Sequence, residues 1–214
     1  MEEIKAQFET NFFGAVRVMQ AVIPIMREQR SGKIVNISSM AGKISFPLDS
    51  IYHRTKFGLE GLSESIQYEL EPFGIKSILI EPGAINSNFM MNLKMTASGQ
   101  DNNKNSPYRQ LTNNILEAFK QMIQNTTDPS EVAKTILQAV MTDNPDFMYV
   151  VGKDAAMLLE ARKICLIENF RTYSKNSLIC RTYKRSNYCN SHTVSFRAFN
   201  NVHTRASYTS YPSL

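Results

Sequence analysis

The sequence predicts an α/β fold built on a parallel sheet. Helix-like and strand-like segments alternate along residues 12–163, and the connections between them are mostly short. The strand-like runs are brief and rich in β-branched residues, the pattern of strands covered on both faces.

The first helix is read from Phe12, Ala15, Val16, Met19, Val22, Ile23 and Met26, which recur at i, i+3, i+4, i+7 with Arg17, Gln20 and Arg27 opposite. Pro24 is expected to kink it, and Ser31-Gly32 to stop it. Met1, Glu2, Glu3 and Lys5 read as the opening of a helix surface. The strand Lys33-Ile34-Val35-Asn36-Ile37 follows and runs into the small-residue loop Ser38-Ser39-Met40-Ala41-Gly42. After Pro47, a second helix is expected from Ser50 to Glu71, with Leu59, Leu62, Ile66 and Leu70 inward and Gly74 closing it. A strand over Ile75–Ile80 ends in Glu81-Pro82-Gly83. Residues 98–105 read as a polar, lid-like loop, and 107–125 as a helix. Another helix starts at Pro129, capped by Asp128 or Thr127. Phe147–Gly152 reads as the last strand, and Ala155–Lys163 begins a further helix.

Composition narrows the function classes. The hydrophobic fraction is 43% and the aromatic fraction 10%, as in ordinary globular proteins. No apolar run nears the ~20 residues of a membrane span, and the start does not read as a signal peptide, so a soluble, cytoplasmic protein is expected. The net charge of +5 would suggest nucleic acid, but it is not spread along the chain. Residues 164–214 hold seven basic side chains and only Glu168 as an acid, which leaves residues 1–163 near −1. All three cysteines (Cys165, Cys180, Cys189) also lie in that tail, without metal-site spacing. Ser, Thr, Asn and Tyr make up 24 of its 51 residues, too few apolar groups to offset ordering entropy. The expected division is therefore a folded unit over 1–163 and an atypical polar, basic tail over 164–214. The tail's abrupt change of character resembles a shifted reading frame.

Chemistry is concentrated in Tyr52-His53-Arg54-Thr55-Lys56. Positions i and i+4 share a helix face, so the phenol and the ammonium can serve one site. A free phenol titrates near ~10, and a neighbouring ammonium is expected to lower that value enough for proton exchange with an alcohol/carbonyl pair. Such a pair also occurs on ordinary helix surfaces. Ser39, at the carboxyl end of the first strand, stands where open α/β sheets bind ligands, although a serine there also serves as a plain loop or cap residue. His53 occupies a variable position, and with His192 and His203 in the tail no metal cluster is expected.

Taken together, Thr10-Asn11-Phe12-Phe13-Gly14, Asn36-Ile37-Ser38-Ser39 with Gly42, YxxxK and Pro82-Gly83 resemble the short-chain dehydrogenase/reductase family. The resemblance covers about residues 1–163, with the motifs in order. It implies a Rossmann-like, doubly wound sheet with flanking helices and an NAD- or NADP-dependent interconversion of a secondary alcohol and a ketone or aldehyde. It also implies catalytic roles for Asn11, Ser39, Tyr52 and Lys56. Tyr52 would be the acid/base, Lys56 would tune it and bind the nicotinamide ribose, Ser39 would orient the substrate, and Asn11 would hold a relay water. Asn11, Tyr52, Lys56, Pro82, Gly83, Ile85 and Ser87 would contact the cofactor, the Ile85 backbone meeting its carboxamide. Ser87 stands where the family usually has threonine.

The family's first strands and Gly-rich turn have no counterpart before Asn11, so a partial sheet lacking its N-terminal β-α repeats is expected. This keeps open an inactive fragment, and the shared scaffold keeps open an isomerase or dehydratase. A small-molecule alcohol or carbonyl is the expected partner, with no nucleic acid and no membrane. A homo-oligomer through the helices carrying Asn11 and Tyr52 is implied. Met90, Met91 and Met95 are candidate pocket or core residues, and Asp154 receives no chemical role.

Overall fold

The structure is a computed structural model that describes residues 1–89, 106–123 and 125–164. Its sheet has three parallel strands in the order β1 (Gly32–Ile37), β2 (Ile75–Pro82), β3 (Met148–Val151). Gly32 pairs with Ile75 and Ile37 with Ile80, while Leu79 to Pro82 pair with Met148 to Val151. All strands point the same way, so Ser39, Gly83 and Gly152 emerge at one edge.

Helices cover both faces. Side chains alternate along β2, so Ile75 packs with Ile34 beneath α2 (Gly14–Gln29) and α3 (Ser50–Leu70), against Met19, Ile23, Ile66 and Leu70. Ile78 and Ile80 face the other way and meet Val35, Val151, Val132, Ile136 and Ala139, the last three from α5 (Pro129–Met141). This is the doubly wound arrangement expected. The strands step in one direction while α3 and α5 lie on opposite faces. The two crossovers therefore have opposite hands, so one departs from the usual right-handed rule.

Helix ends follow local chemistry. Asp128 caps α5 by accepting a hydrogen bond from the Ser130 N–H at 2.8 Å, with Pro129 in the first turn. Gly74, at φ 72°, ends the turn after α3; a Cβ there would lie 2.6 Å from the Arg30 carbonyl oxygen. α2 ends one step before the predicted stop, with Arg30 in the left-handed region. α4 (Arg109–Ile123) and α6 (Lys153–Ile164) lie close to their predicted ranges.

The helix surface read at Met1–Lys5 is α1 (Glu2–Phe8), and a π-helical segment, Glu9–Phe13, joins it to α2. Pro24, the expected kink position, lies inside α2, which runs on to Gln29. The lid-like loop at 98–105, Met90, Met91, Met95 and the tail from Cys165 onward lie outside the described residues.

Candidate active site

Asn11, Ser39, Tyr52 and Lys56 come from three elements that meet beside the carboxyl end of β1. Tyr52 and Lys56 lie in the first two turns of α3, with the Lys56 ammonium 5.8 Å from the centre of the Tyr52 ring. The Ser39 side chain lies beside the Tyr52 hydroxyl. Ser39 Oγ also accepts from the Ala41 N–H at 3.1 Å, capping the short turn Met40–Gly42, and makes a long 3.4 Å donation to the Pro82 carbonyl. Ser39 is thus both the cap residue and a candidate site residue.

Lys56 Nζ donates to the Ile37 carbonyl oxygen at 2.8 Å. Asn11 sits within the π-helical segment, a local widening often found at functional positions. Its amide nitrogen donates to Thr55 Oγ1 at 3.2 Å, and Thr55 in turn donates to the Tyr52 carbonyl at 2.8 Å. Asn11 therefore reaches α3 one residue before Lys56, through Thr55 and not through the ammonium.

The electrostatics reverse one expectation. Tyr52 is held above the ordinary phenol range, first because burial disfavours the phenolate. The Ser39 hydroxyl beside it pulls it back down, and the nearby Asp49 carboxylate pushes it further up. Lys56 does not bring it below that range. Its own charge is disfavoured by burial, which lowers it, while Glu60 one turn further along α3 raises it. The phenol of this chain is a protonated acid at neutral pH.

His53, read from sequence as a permissive position, is fully enclosed. Nε2 accepts the Phe46 N–H at 2.9 Å, which leaves the proton on Nδ1 to be donated to the Ala41 carbonyl at 2.9 Å. It pins the loop that carries Ser39 onto the start of α3. A second tie is ionic: Lys43 Nζ lies 3.0 Å from Glu60 and 3.8 Å from Glu81, two carboxylates buried from different elements. Neither tie was read from the sequence.

The Pro82–Ser87 turn is fixed on one side. Gly83 N–H donates to the Val151 carbonyl at 2.8 Å, and Ile85 bridges Thr127 through Thr127 N–H to Ala84 O and Asn86 N–H to Thr127 O, each 2.9 Å. In that bridge the N–H and C=O of Ile85 itself point away from Thr127. Ser87 is exposed, its hydroxyl accepting the Phe89 N–H at 3.4 Å. The Phe89 ring lies 5.6 Å from that of Tyr52, an apolar wall beside the phenol. Among the described residues no three His, Cys, Asp or Glu side chains gather as metal ligands, and no helix is long and apolar enough to cross a membrane.

A sequence model of the short chain dehydrogenase family matches residues 1–98. The chain is 35% identical over 174 residues to 3-ketodihydrosphingosine reductase of Bacteroides thetaiotaomicron, covering 81% of this chain and 63% of that protein. It is 30% identical over 149 residues to 17-beta-hydroxysteroid dehydrogenase type 1 of Mus musculus, covering 70% and 43%. Among solved structures, a short-chain dehydrogenase from Streptomyces avermitilis is 33% identical, with a TM-score of 0.63 over 82% of this chain and 60% of that one. The chain thus spans about three fifths of the reductase and of the Streptomyces protein.

Proposed function

The chain belongs to the short-chain dehydrogenase/reductase family, and on that premise we propose that it carries the proton-transfer site of an NAD- or NADP-dependent reductase of a ketone or aldehyde. The observation that carries this reading is the half-buried Tyr52 phenol set beside the Ser39 side chain, with the Lys56 ammonium 5.8 Å from its ring. A reduced nicotinamide, when bound, supplies the hydride to the carbonyl carbon. The remaining work is done by side chains. Ser39 hydrogen-bonds the carbonyl oxygen, and Tyr52 donates its proton to that oxygen as negative charge develops on it. The phenolate left behind is stabilised by Lys56 one helical turn away.

Two features suit a nicotinamide cofactor. The Ile85 peptide groups face away from Thr127 and can take both ends of a carboxamide, one as donor and one as acceptor. Lys56 offers further N–H donors beyond the one given to Ile37, enough to reach a ribose hydroxyl. Pro82 and Gly83 set the turn, and Ser87 presents a hydroxyl at its far end. Asn11, its amide nitrogen engaged with Thr55, would hold a relay water on its carbonyl oxygen.

The relatives include a 3-ketodihydrosphingosine reductase and a 17-beta-hydroxysteroid dehydrogenase, and Phe89 beside Tyr52 fits an apolar substrate. The exposed Phe13, Val18, Ile25, Phe57 and Tyr68 on the helical segments that carry Asn11 and Tyr52 support a second copy of the chain as partner.

The test is a fluorescence titration with NADH and NADPH, followed by turnover of a panel of apolar ketones. Tyr52→Phe should keep the cofactor dissociation constant within about threefold while lowering kcat by about 10²–10⁴. Undiminished turnover in that variant refutes the role of the phenol. Failure of the unsubstituted chain to bind either nucleotide refutes the reductase reading for this polypeptide.

A further inference from the structure

The strand-end turn that carries Ile85 is held from a direction no backbone pairing supplies. Ala84 N–H donates to Asp154 Oδ2 at 2.7 Å, across 70 positions of sequence. Asp154 lies in the first turn of α6, where a carboxylate is favoured by the helix dipole. Its other oxygen, Oδ1, is buried with no hydrogen-bond partner among the described residues. That oxygen lies in a cleft with glycine on both sides. A Cβ on Gly83 would fall on the Asp154 carboxylate, and one on Gly152, at φ 108°, would stand 2.6 Å from Oδ1 and 3.0 Å from Thr127 Oγ1. Two strand-end loops have given up their side chains where this one carboxylate enters.

The same helix also touches the other half of the site. Ala155 and Leu159 of α6 pack against Met40 and Ile44, in the loop that begins with Ser39. One short helix therefore holds the hydroxyl loop by apolar contact and the Pro82–Ser87 turn by a charge-assisted hydrogen bond. Gly83 N–H is tied to Val151, and Ala84 C=O and Asn86 N–H are tied to Thr127; the Gly83–Ala84 peptide joins these two anchors, and its N–H is the group that Asp154 holds.

We propose that Asp154 is a positioning residue for the cofactor-facing turn: its carboxylate fixes the Gly83–Ala84 peptide that leads into the Thr127 bridge, and thereby steadies the N–H and C=O of Ile85 toward the nicotinamide carboxamide. The second clause rests on the reductase reading above, and the first does not.

The two clauses are separated by measuring amide hydrogen exchange by NMR without cofactor, and cofactor affinity by fluorescence titration. In Asp154→Ala the Ala84 amide should exchange at least about tenfold faster. The Leu79 amide, bonded to the Phe147 carbonyl, should keep its rate and so exclude global loosening. NADH or NADPH affinity should fall about tenfold in parallel. Asp154→Asn keeps an acceptor oxygen and should recover both readouts to within about threefold.

Gly83→Ala forces a methyl onto the carboxylate, so it should weaken cofactor binding about tenfold alone, yet add less than about twofold on top of Asp154→Ala. An unchanged Ala84 exchange rate in Asp154→Ala overturns the latch. Faster exchange with unchanged affinity, or a Gly83→Ala effect equal in both backgrounds, overturns the positioning role. If the unsubstituted chain binds neither nucleotide, the cofactor clause falls with the reductase reading, and the exchange comparison still decides the latch.

Discussion

Replacing Lys43 by methionine should destabilise the fold and do so through the two carboxylates it joins. Lys43 Nζ lies 3.0 Å from Glu60 and 3.8 Å from Glu81, whose side chains are 6% and 3% exposed, while that of Lys43 itself is 36% exposed. Glu60 is further hemmed in at Gly42, where even a Cβ would stand 2.7 Å from its Cγ. Breaking a buried ion pair from one side typically costs about 3–5 kcal/mol, because a charge stays behind in a poor solvent. Water reaches the ammonium and screens part of this, so about 2–3 kcal/mol is expected for Lys43→Met. With a urea m-value of about 2 kcal/mol/M, the denaturation midpoint should fall by about 1 M or slightly more. Glu60→Gln keeps the shape and removes one of the two like charges. In the Lys43→Met, Glu60→Gln double variant, the loss should therefore be smaller than the sum of the single losses by at least about 1 kcal/mol. A midpoint shift worth less than about 0.5 kcal/mol in Lys43→Met, or strict additivity in the double variant, would refute the idea that this cluster ties the Ser39 loop to α3 and β2.

Further outcomes follow from the same geometry. Tyr52 is held above the ordinary phenol range by burial, so the tyrosinate absorbance difference between the unsubstituted chain and Tyr52→Phe should stay flat up to about pH 10. Growth of that difference below pH 9 would contradict the assignment. On the proposed reading, carbonyl reduction needs the protonated phenol and the charged Lys56, so it should fall only at alkaline pH. Because Lys56 is lowered by burial and raised by Glu60, Glu60→Gln should move that fall to lower pH, and an unmoved limb would count against the coupling. His53→Phe removes an acceptor and a donor from buried partners, and should cost about 2–4 kcal/mol in urea denaturation. His53→Phe at less than about 1 kcal/mol would mean the loop is held elsewhere. Sedimentation should find at least a dimer, and Val18→Glu with Tyr68→Glu should return it to monomer; an unchanged sedimentation coefficient would reject those helices as the interface.

The alternation of elements was legible because each rests on local signals: a helical stripe such as Leu59, Ile66 and Leu70, a β-branched run such as Ile75–Ile80, a glycine at positive φ such as Gly74. The order of Ser39, Tyr52 and Lys56 was legible for the same reason, since their spacing places them on one helix turn and one strand end. What stayed hidden depends on contacts far apart in the chain. The role of Asp154 is defined by Ala84, and that of His53 by a loop that folds back upon it. The π-helical widening at Asn11 leaves no mark on side-chain periodicity, because it adds a residue to a turn without changing the composition around it. The protonation of Tyr52 was misread for a related reason. Spacing on a helix reports that an ammonium is near, but burial sets the larger effect, and burial is a property of the whole fold.

The site lies on loops at the ends of strands, which is where sheets of this kind place chemistry and also where backbones are least restrained. Proton donation to a carbonyl oxygen tolerates only small errors in placement. The buried polar groups of this chain answer that conflict. Ser38, His53, Thr55, Glu60 and Glu81 are all buried, and all flank the loops or the helix turns that carry the candidate residues. His53 and the Lys43–Glu60 pair tie the Ser39 loop to α3, Lys43–Glu81 ties it to β2, and Asp154 ties the next turn to α6. Apolar contacts alone would let these loops slide, since such contacts are non-directional. Hydrogen bonds and ion pairs fix distance and angle together, and at this end of the sheet that directionality offsets the cost of desolvating them.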